Sequence, residues 1–132
     1  MWYTSAMKPS VLVVDDDAAM RELLTILLAE EGYPVRSAGD AYEAMDMVSS
    51  DPPGLLLVDL MMPGVSGIEF LTRLRRDSRW AALPVILISA HPRLREMAQE
   101  LGACAALAKP FDLTHLLEQI ARASLAPASE KY

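Results

Sequence analysis

The sequence is poor in cysteine, in long apolar runs and in positive charge. A single cysteine, Cys104, excludes an intrachain disulfide and suits a reducing compartment, and its apolar surroundings GACAALA predict a packed, unreactive thiol. No apolar run approaches the roughly eighteen residues of a membrane span, and the N-terminal MWYTSAMKPS lacks the apolar stretch of a signal peptide. These absences predict a cytoplasmic protein without membrane contacts.

Basic residues are outnumbered by acidic ones. Twelve Lys and Arg stand against 18 Asp and Glu, which gives a net charge of -6 and a pI near 4.8. Such a chain repels nucleic acid and anionic membrane surfaces. We therefore predict no direct binding to nucleic acid.

The sequence does contain a regular alternation of short strand-like runs and helical periodicity. Strands are predicted at 11–14, 34–38, 55–58, 84–89 and 105–108, the last of them weak because alanine is a poor strand former. After the first run, apolar residues recur at helical spacing from Met20 to Leu28, and similar segments follow the other runs. The first helix should end at Gly32 and the fourth at Gly102.

Strict alternation of strands and helices predicts an α/β fold with a parallel sheet, right-handed crossovers and helices on both faces. We expect a flavodoxin-like, doubly wound arrangement of five strands in the order 2-1-3-4-5 with five helices. The length of 132 residues and the hydrophobic content of 52% fit one domain. We place it at residues 9–125, between a leader at 1–8 and a tail at 126–132.

Polar residues follow the predicted strands at one end. In open parallel sheets, functional residues collect at the carboxyl ends of the strands. The residues found there are Asp15, Asp16 and Asp17 after strand one, Asp59 at the end of strand three, Ser89 at the end of strand four, and Lys109 after strand five. Taken singly, the three acids after strand one could be solvated acids at a helix N-terminus, which is the better explanation for Asp17, and Asp59 could be a turn former. Ser89 alone could be a strand terminus or a local cap, and Lys109 a surface charge.

Four motifs in order, VLVVDDD, LLLVDLMMPGVSG, VILISA and the triplet Lys109-Pro110-Phe111, resemble the receiver domain of two-component response regulators. The resemblance covers roughly residues 9 to 125 and implies that Asp59 accepts a phosphoryl group from the phosphohistidine of a sensor kinase, with Mg2+ nearby. It also implies a cis Lys109-Pro110 bond. Such a domain is a signalling protein that assists its own phosphorylation and dephosphorylation, not an enzyme in the usual sense.

The chemistry of the residues agrees with these implied roles. Clustered carboxylates repel one another unless a cation neutralises them, and Mg2+ prefers oxygen ligands. The expected ligands are Asp16 and Asp59 directly, Asp15 directly or through water, and the backbone carbonyl of Met61. Asp59 would be the nucleophile, and Lys109 and Ser89 would stabilise the charge that develops on the phosphoryl oxygens.

Ala106 departs from the family pattern. Receivers usually carry Tyr or Phe at this position, three residues before the lysine, and the ring turns inward when the Ser or Thr hydroxyl moves toward the phosphate. Because Ala106 has no ring, the usual switch is in doubt while the predicted phosphorylation site is complete.

Three functional classes remain open from the sequence. The first is a phosphorylatable receiver whose partners are a sensor histidine kinase or phosphotransfer protein, a downstream protein or output domain on the helix-four, strand-five and helix-five face, and a second copy in a homodimer. The second is an interaction module with attenuated or phosphorylation-independent switching, which Ala106 suggests. The third is a haloacid dehalogenase-type phosphatase, which would need a second acid where this chain has Met61.

Overall fold

The computed structural model describes residues 8–60 and 67–125. Its strands are β1 (Val11–Val14), β2 (Val35–Ala38), β3 (Leu55–Asp59), β4 (Val85–Ser89) and β5 (Ala105–Ala108). Its helices are α1 (Ala18–Glu30), α2 (Ala41–Ser50), α3 (Gly67–Arg76), α4 (Leu94–Glu100) and α5 (Leu113–Leu125). The strands form one parallel sheet in the order β2-β1-β3-β4-β5, so the predicted doubly wound fold is confirmed.

The register aligns the ends of the strands. Val14 of β1 lies opposite Val58 of β3, Asp59 lies opposite Ile88 of β4, and Ser89 lies opposite Ala108 of β5. Because neighbouring strands run in the same direction, the residues that end or follow them meet at one edge of the sheet. This edge carries the polar residues that the sequence places after its apolar runs.

The sheet separates two apolar cores. Leu12 and Val14 of β1 belong to the core under α2, α3 and α4, which includes Phe70. Val11 and Val13 belong to the opposite core, which includes Leu116 of α5. Side chains alternate across a strand, so a strand buried on both faces must be apolar throughout. This requirement explains the unbroken apolar runs of β1, β3 and β4.

Local signals in the sequence place the helix ends correctly. Gly32 and Gly102 follow α1 and α4 with φ of 92° and 66°, a backbone region that favours glycine. Asp17 is the N-cap of α1, and its carboxylate accepts hydrogen bonds from the backbone N–H groups of Ala19 and Met20 at 3.0 and 3.3 Å. No helix in the described part of the chain has both the length and the hydropathy needed to cross a membrane.

Cys104 differs from the prediction. The sequence predicts a packed thiol, but Cys104 is exposed, so that prediction is wrong. The residue lies between Gly102 and β5, where its backbone N–H donates to the carbonyl of Val85 at 2.8 Å. The backbone is therefore held against β4 while the side chain points away from the core.

Arg75, a basic residue in the last turn of α3, is not a solvent-facing charge. Its guanidinium is half-buried, and burial lowers the pKa of the group. It donates hydrogen bonds at 2.7 to 3.1 Å to the carbonyls of Trp80, Ala81, Leu83, Leu101 and Gly102. Arg75 thus ties the end of α3 to the loop before β4 and to the C-terminal end of α4.

Replacing Arg75 with Met should reduce the free energy of unfolding by about 2 kcal/mol, since partly buried carbonyls would lose their donors. Arg73→Met is the matched control, because the side chain of Arg73 is 57% exposed and pairs with Glu69 of the same helix at 3.1 Å. Its cost should stay below about 1 kcal/mol. Urea unfolding of both variants measures the difference, and equal losses would contradict the role given to Arg75.

Candidate functional site

Four polar side chains meet at the carboxyl edge of the sheet. Asp15 follows β1, Asp59 ends β3, Ser89 ends β4 and Lys109 follows β5. Asp15, Asp59 and Ser89 are exposed by only 3%, 6% and 0%, whereas the side chain of Lys109 is 28% exposed. The edge is thus a nearly buried polar site that opens toward solvent beside Lys109.

Three carboxylates lie close enough to share one cation. Asp15, Asp16 and Asp59 each offer a carboxylate oxygen, and these oxygens lie within 4.8 Å of one another. Asp16 is exposed, and Asp17 is occupied as the cap of α1. The donors are all oxygens, which fits Mg2+. The fourth predicted ligand, the carbonyl of Met61, lies outside the described residues.

Lys109 is the counter-charge inside this cluster. Its Nζ donates to Oδ2 of Asp59 at 3.0 Å and lies 3.7 Å from Oδ2 of Asp15. Burial by itself would lower the pKa of Lys109, but the hydrogen bond to Asp59 and the charges of both aspartates outweigh it, so the pKa is raised. Lys109 therefore stays charged. The backbone N–H of Lys109 donates to the carbonyl of Ser89 at 3.0 Å, and the Lys109-Pro110 bond is cis.

The surroundings of Asp15 disfavour the ionised form of its carboxyl. Burial raises the pKa of its carboxyl, while the backbone N–H of Asp17 and the charge of Lys109 oppose the rise. The negative charges of Asp59 and Asp16 raise it further. An ionised Asp15 is therefore costly in the protein without a bound cation.

Ser89 sits at the start of the loop that leads into α4. Its Oγ accepts a hydrogen bond from the backbone N–H of His91 at 3.0 Å. Nδ1 of His91 in turn accepts from the backbone N–H of Arg93, also at 3.0 Å. The hydroxyl oxygen of Ser89 is thus coupled to the segment immediately before α4.

A model of the response regulator receiver domain matches residues 11–121. The chain belongs to this family. It is 41% identical over 116 residues to response regulator MprA of Mycobacterium bovis, an alignment that covers 86% of this chain and 50% of MprA. The receiver domain thus spans about half the length of the curated relatives it matches.

Solved receivers share its architecture. A response regulator receiver protein from Pseudomonas putida superposes with a TM-score of 0.81 and 35% identity, covering 88% of this chain and 98% of that one. TrrA of Thermotoga maritima, solved in complex with Mg2+-BeF, gives a TM-score of 0.78 and 32% identity, covering 89% and 99%. Receiver domains are signalling domains that interact with sensor kinases and output domains, and not enzymes in the usual sense.

Ala106 leaves open space in this receiver domain. The residue is half-buried in β5, opposite Leu87 of β4. It lines a hollow of about 730 Å³ whose wall also includes His91, Phe111 and His115. An aromatic side chain at this position would therefore have room toward α4 and α5.

Gly67 is a site residue that the sequence reading missed. It begins α3, and its N–H donates to the carbonyl of Leu60 at 3.2 Å. A Cβ at this position would lie 2.6 Å from the carbonyl oxygen of Asp59 and 2.8 Å from Cα of Leu60. The signal in the sequence is the glycine that ends the motif LLLVDLMMPGVSG, which is weak because the sequence does not show what packs against it. Gly67 thus lets α3 begin directly against the end of β3.

Gly67→Ala should lower the free energy of unfolding by about 3 kcal/mol, because the atoms it meets are backbone and cannot turn aside. Gly39→Ala is the matched control, since its added Cβ would meet only the flexible end of Arg21, at 3.1 Å. Chemical denaturation measures both. A loss no larger for Gly67→Ala than for Gly39→Ala would contradict the close packing at β3.

Asp15→Asn should change how stability depends on pH when Mg2+ is absent. The folded-state pKa of Asp15 is raised, so this group favours folding at acidic pH and loses that contribution as the pH rises through the folded-state pKa. The metal-free variant should therefore be more stable than the wild type at neutral pH, and the gap should close below the ordinary pKa of an aspartate. Thermal melts in EDTA across this range test it; a variant less stable at neutral pH would contradict the expected sign.

Proposed function

We propose that this receiver domain takes a phosphoryl group on Asp59 from the phosphohistidine of a sensor histidine kinase or phosphotransfer protein. The observation that carries the proposal is the buried Asp59 carboxylate, which has the Lys109 ammonium 3.0 Å away and two further carboxylates beside it. A nucleophile, a fixed cation and a set of metal-binding oxygens therefore share one small site.

The transfer follows from these groups. A carboxylate oxygen of Asp59 attacks phosphorus, an O–P bond forms, and the P–N bond to the histidine breaks with its electron pair leaving on the imidazole nitrogen. Negative charge spreads over the equatorial phosphoryl oxygens as the reaction proceeds. The Lys109 ammonium and the Ser89 hydroxyl, at the ends of neighbouring strands, are the donors that can stabilise this charge.

Asp15, Asp16 and Asp59 would hold Mg2+, with the Met61 carbonyl as a further ligand. When bound, Mg2+ neutralises part of the charge on the carboxylates and on the incoming phosphoryl group. The spacing of the three carboxylate oxygens supports this assignment, and so does the raised pKa of Asp15, which a nearby cation would relieve.

The test is incubation of the protein with acetyl phosphate, with Mg2+ or with EDTA, followed by intact mass and peptide mapping. We expect one added phosphoryl group, dependent on Mg2+ and mapped to the peptide that contains Asp59. Modification of another residue, or equal modification in EDTA, would contradict the proposal.

Phosphorylation would act through protein contacts. The surface formed by α4, β5 and α5 is our proposed site for a downstream protein, for an output domain or for a second copy, because the Ser89 hydroxyl is coupled to the loop that enters α4. We assign the chain itself no direct nucleic-acid contact. RpaA of Synechocystis, whose name describes a DNA-binding regulator, matches this chain over 47% of its own length.

Ala106 favours a second candidate, a receiver-fold interaction module whose partner binding responds weakly or not at all to phosphorylation. The open hollow beside Ala106 supports it, since residue 106 itself has no ring that could change position. Partner affinity measured before and after phosphorylation separates the two candidates. The match to the receiver-domain family over residues 11–121 argues against the phosphatase alternative.

A further inference from the structure

Arg21 connects α1 to the end of β1. It is the fourth residue of α1 and is half-buried. Its Nη1 donates a hydrogen bond to the backbone carbonyl of Asp15 at 2.8 Å. Helical side chains lean toward the N-terminus of their helix, and for this reason Arg21 can reach back past the turn that precedes α1.

The carbonyl that Arg21 holds belongs to the peptide unit between two of the three clustered acids. The C=O of Asp15 and the N–H of Asp16 lie in one rigid plane. Fixing the direction of the carbonyl therefore fixes the direction in which Asp16 leaves the strand. The hydrogen bond from Arg21 is therefore linked to the position of Asp16 through this plane.

Asp16 depends on its backbone for its position. Its side chain is exposed, and within residues 8–60 and 67–125 the structure shows no hydrogen bond to its carboxylate. Asp15, by contrast, is held by two hydrogen bonds of its own. Its N–H donates to the carbonyl of Ala38 at 3.2 Å, and its Oδ1 accepts from the N–H of Asp17 at 2.9 Å. Neither of these bonds involves the peptide plane that Arg21 holds.

The backbone of Gly39 lies close to the guanidinium of Arg21. A Cβ at residue 39 would lie 3.1 Å from Nη1 and 3.4 Å from Cζ of Arg21. Contacts this short would require the guanidinium to move by a few tenths of an ångström. Glycine at this position therefore lets the turn after β2 close over Arg21 without displacing it.

We propose that Arg21 is a positioning residue for Mg2+ binding: it orients the Asp15-Asp16 peptide so that Asp16 faces Asp15 and Asp59. This inference rests on the proposed function, in which these acids hold the ion. In this proposal the geometry of the metal site also depends on Arg21, a basic residue that is not among the polar residues at the carboxyl edge of the sheet.

The direction in which Mg2+ affinity changes when Arg21 is removed distinguishes a positioning role from a simple effect of its charge. If Arg21 acted only through its positive charge, its removal would strengthen the attraction of a nearby cation. Loss of positioning has the opposite effect, because the three acids would no longer share one geometry. Residues that orient metal ligands typically contribute about tenfold or more to metal affinity.

The experiment is calorimetric titration of the full chain with Mg2+, together with thermal melts to check folding. Arg21→Ala should bind Mg2+ about tenfold more weakly than the wild type, and Arg21→Lys should recover part of the loss. Gly39→Ala should weaken binding less, in the same direction. Arg36→Ala is the matched control, since Arg36 also donates to a backbone carbonyl, that of Asp51, away from the site.

A positioning role predicts weaker Mg2+ binding in Arg21→Ala and Gly39→Ala with unchanged binding in Arg36→Ala. Unchanged or tighter binding in Arg21→Ala would overturn it. If Arg21→Ala does not fold, unchanged binding in Gly39→Ala overturns it equally. Absence of Mg2+ binding to the wild type would contradict the proposed function itself, so the two failures are distinguishable.

Discussion

Asp59→Asn should remove all phosphorylation of the protein by acetyl phosphate in the presence of Mg2+. The amide retains the shape of the carboxylate but lacks the negatively charged oxygen that attacks phosphorus. It also keeps one oxygen toward Lys109, so the fold should survive. This substitution should have a very large effect, since no other described residue combines a buried carboxylate with the 3.0 Å contact to Lys109.

Asp46→Asn provides a matched control for this change. Asp46 is an exposed residue of α2, away from the carboxyl edge of the sheet. Intact mass spectrometry should show one phosphoryl group on the control and none on Asp59→Asn, with thermal melts confirming that both are folded. Equal modification of the two variants would show that Asp59 is not the acceptor.

Asp16→Ala should weaken Mg2+ binding by about 100-fold or more, because a direct ligand contributes at least as much as the most effective residues that orient ligands. Phosphorylation by acetyl phosphate should slow in parallel. The metal-free variant should be as stable as the wild type or more stable, since the negative charge of Asp16 is one of those that raise the pKa of Asp15. We therefore expect Asp16→Ala to lose Mg2+ affinity without any loss of metal-free stability.

Calorimetric titration with Mg2+ and metal-free melts test this second prediction together. Asp17→Ala is a useful contrast, because Asp17 caps α1 and should affect stability by about 1 kcal/mol through the lost cap. Wild-type Mg2+ affinity in Asp16→Ala would exclude Asp16 as a ligand. A variant that melts well below the wild type would show that Asp16 has a structural role instead.

The sequence alone determined the order of elements and the edge at which the site lies. Apolar runs and helical spacing are local patterns, and strict alternation leaves few parallel topologies. The caps at Asp17 and the glycine ends at Gly32 and Gly102 are also local, since their partners lie within one helical turn. The sequence also predicts one shared site for four polar residues, because all of them end or follow strands of one parallel sheet: Asp15, Asp59, Ser89 and Lys109.

Only the tertiary structure decided how individual side chains are used. Arg73 and Arg75 are both basic residues in the last turn of α3. Arg75 nevertheless donates a hydrogen bond to the carbonyl of Leu101, 26 residues away, whereas Arg73 pairs with Glu69 of its own helix. Cys104 lies in an apolar run but points outward. Gly67 packs against the backbone at the end of β3, and Arg21 donates a hydrogen bond to the carbonyl of Asp15, which follows β1. These roles arise from contacts between elements, and no pattern of neighbouring residues encodes them.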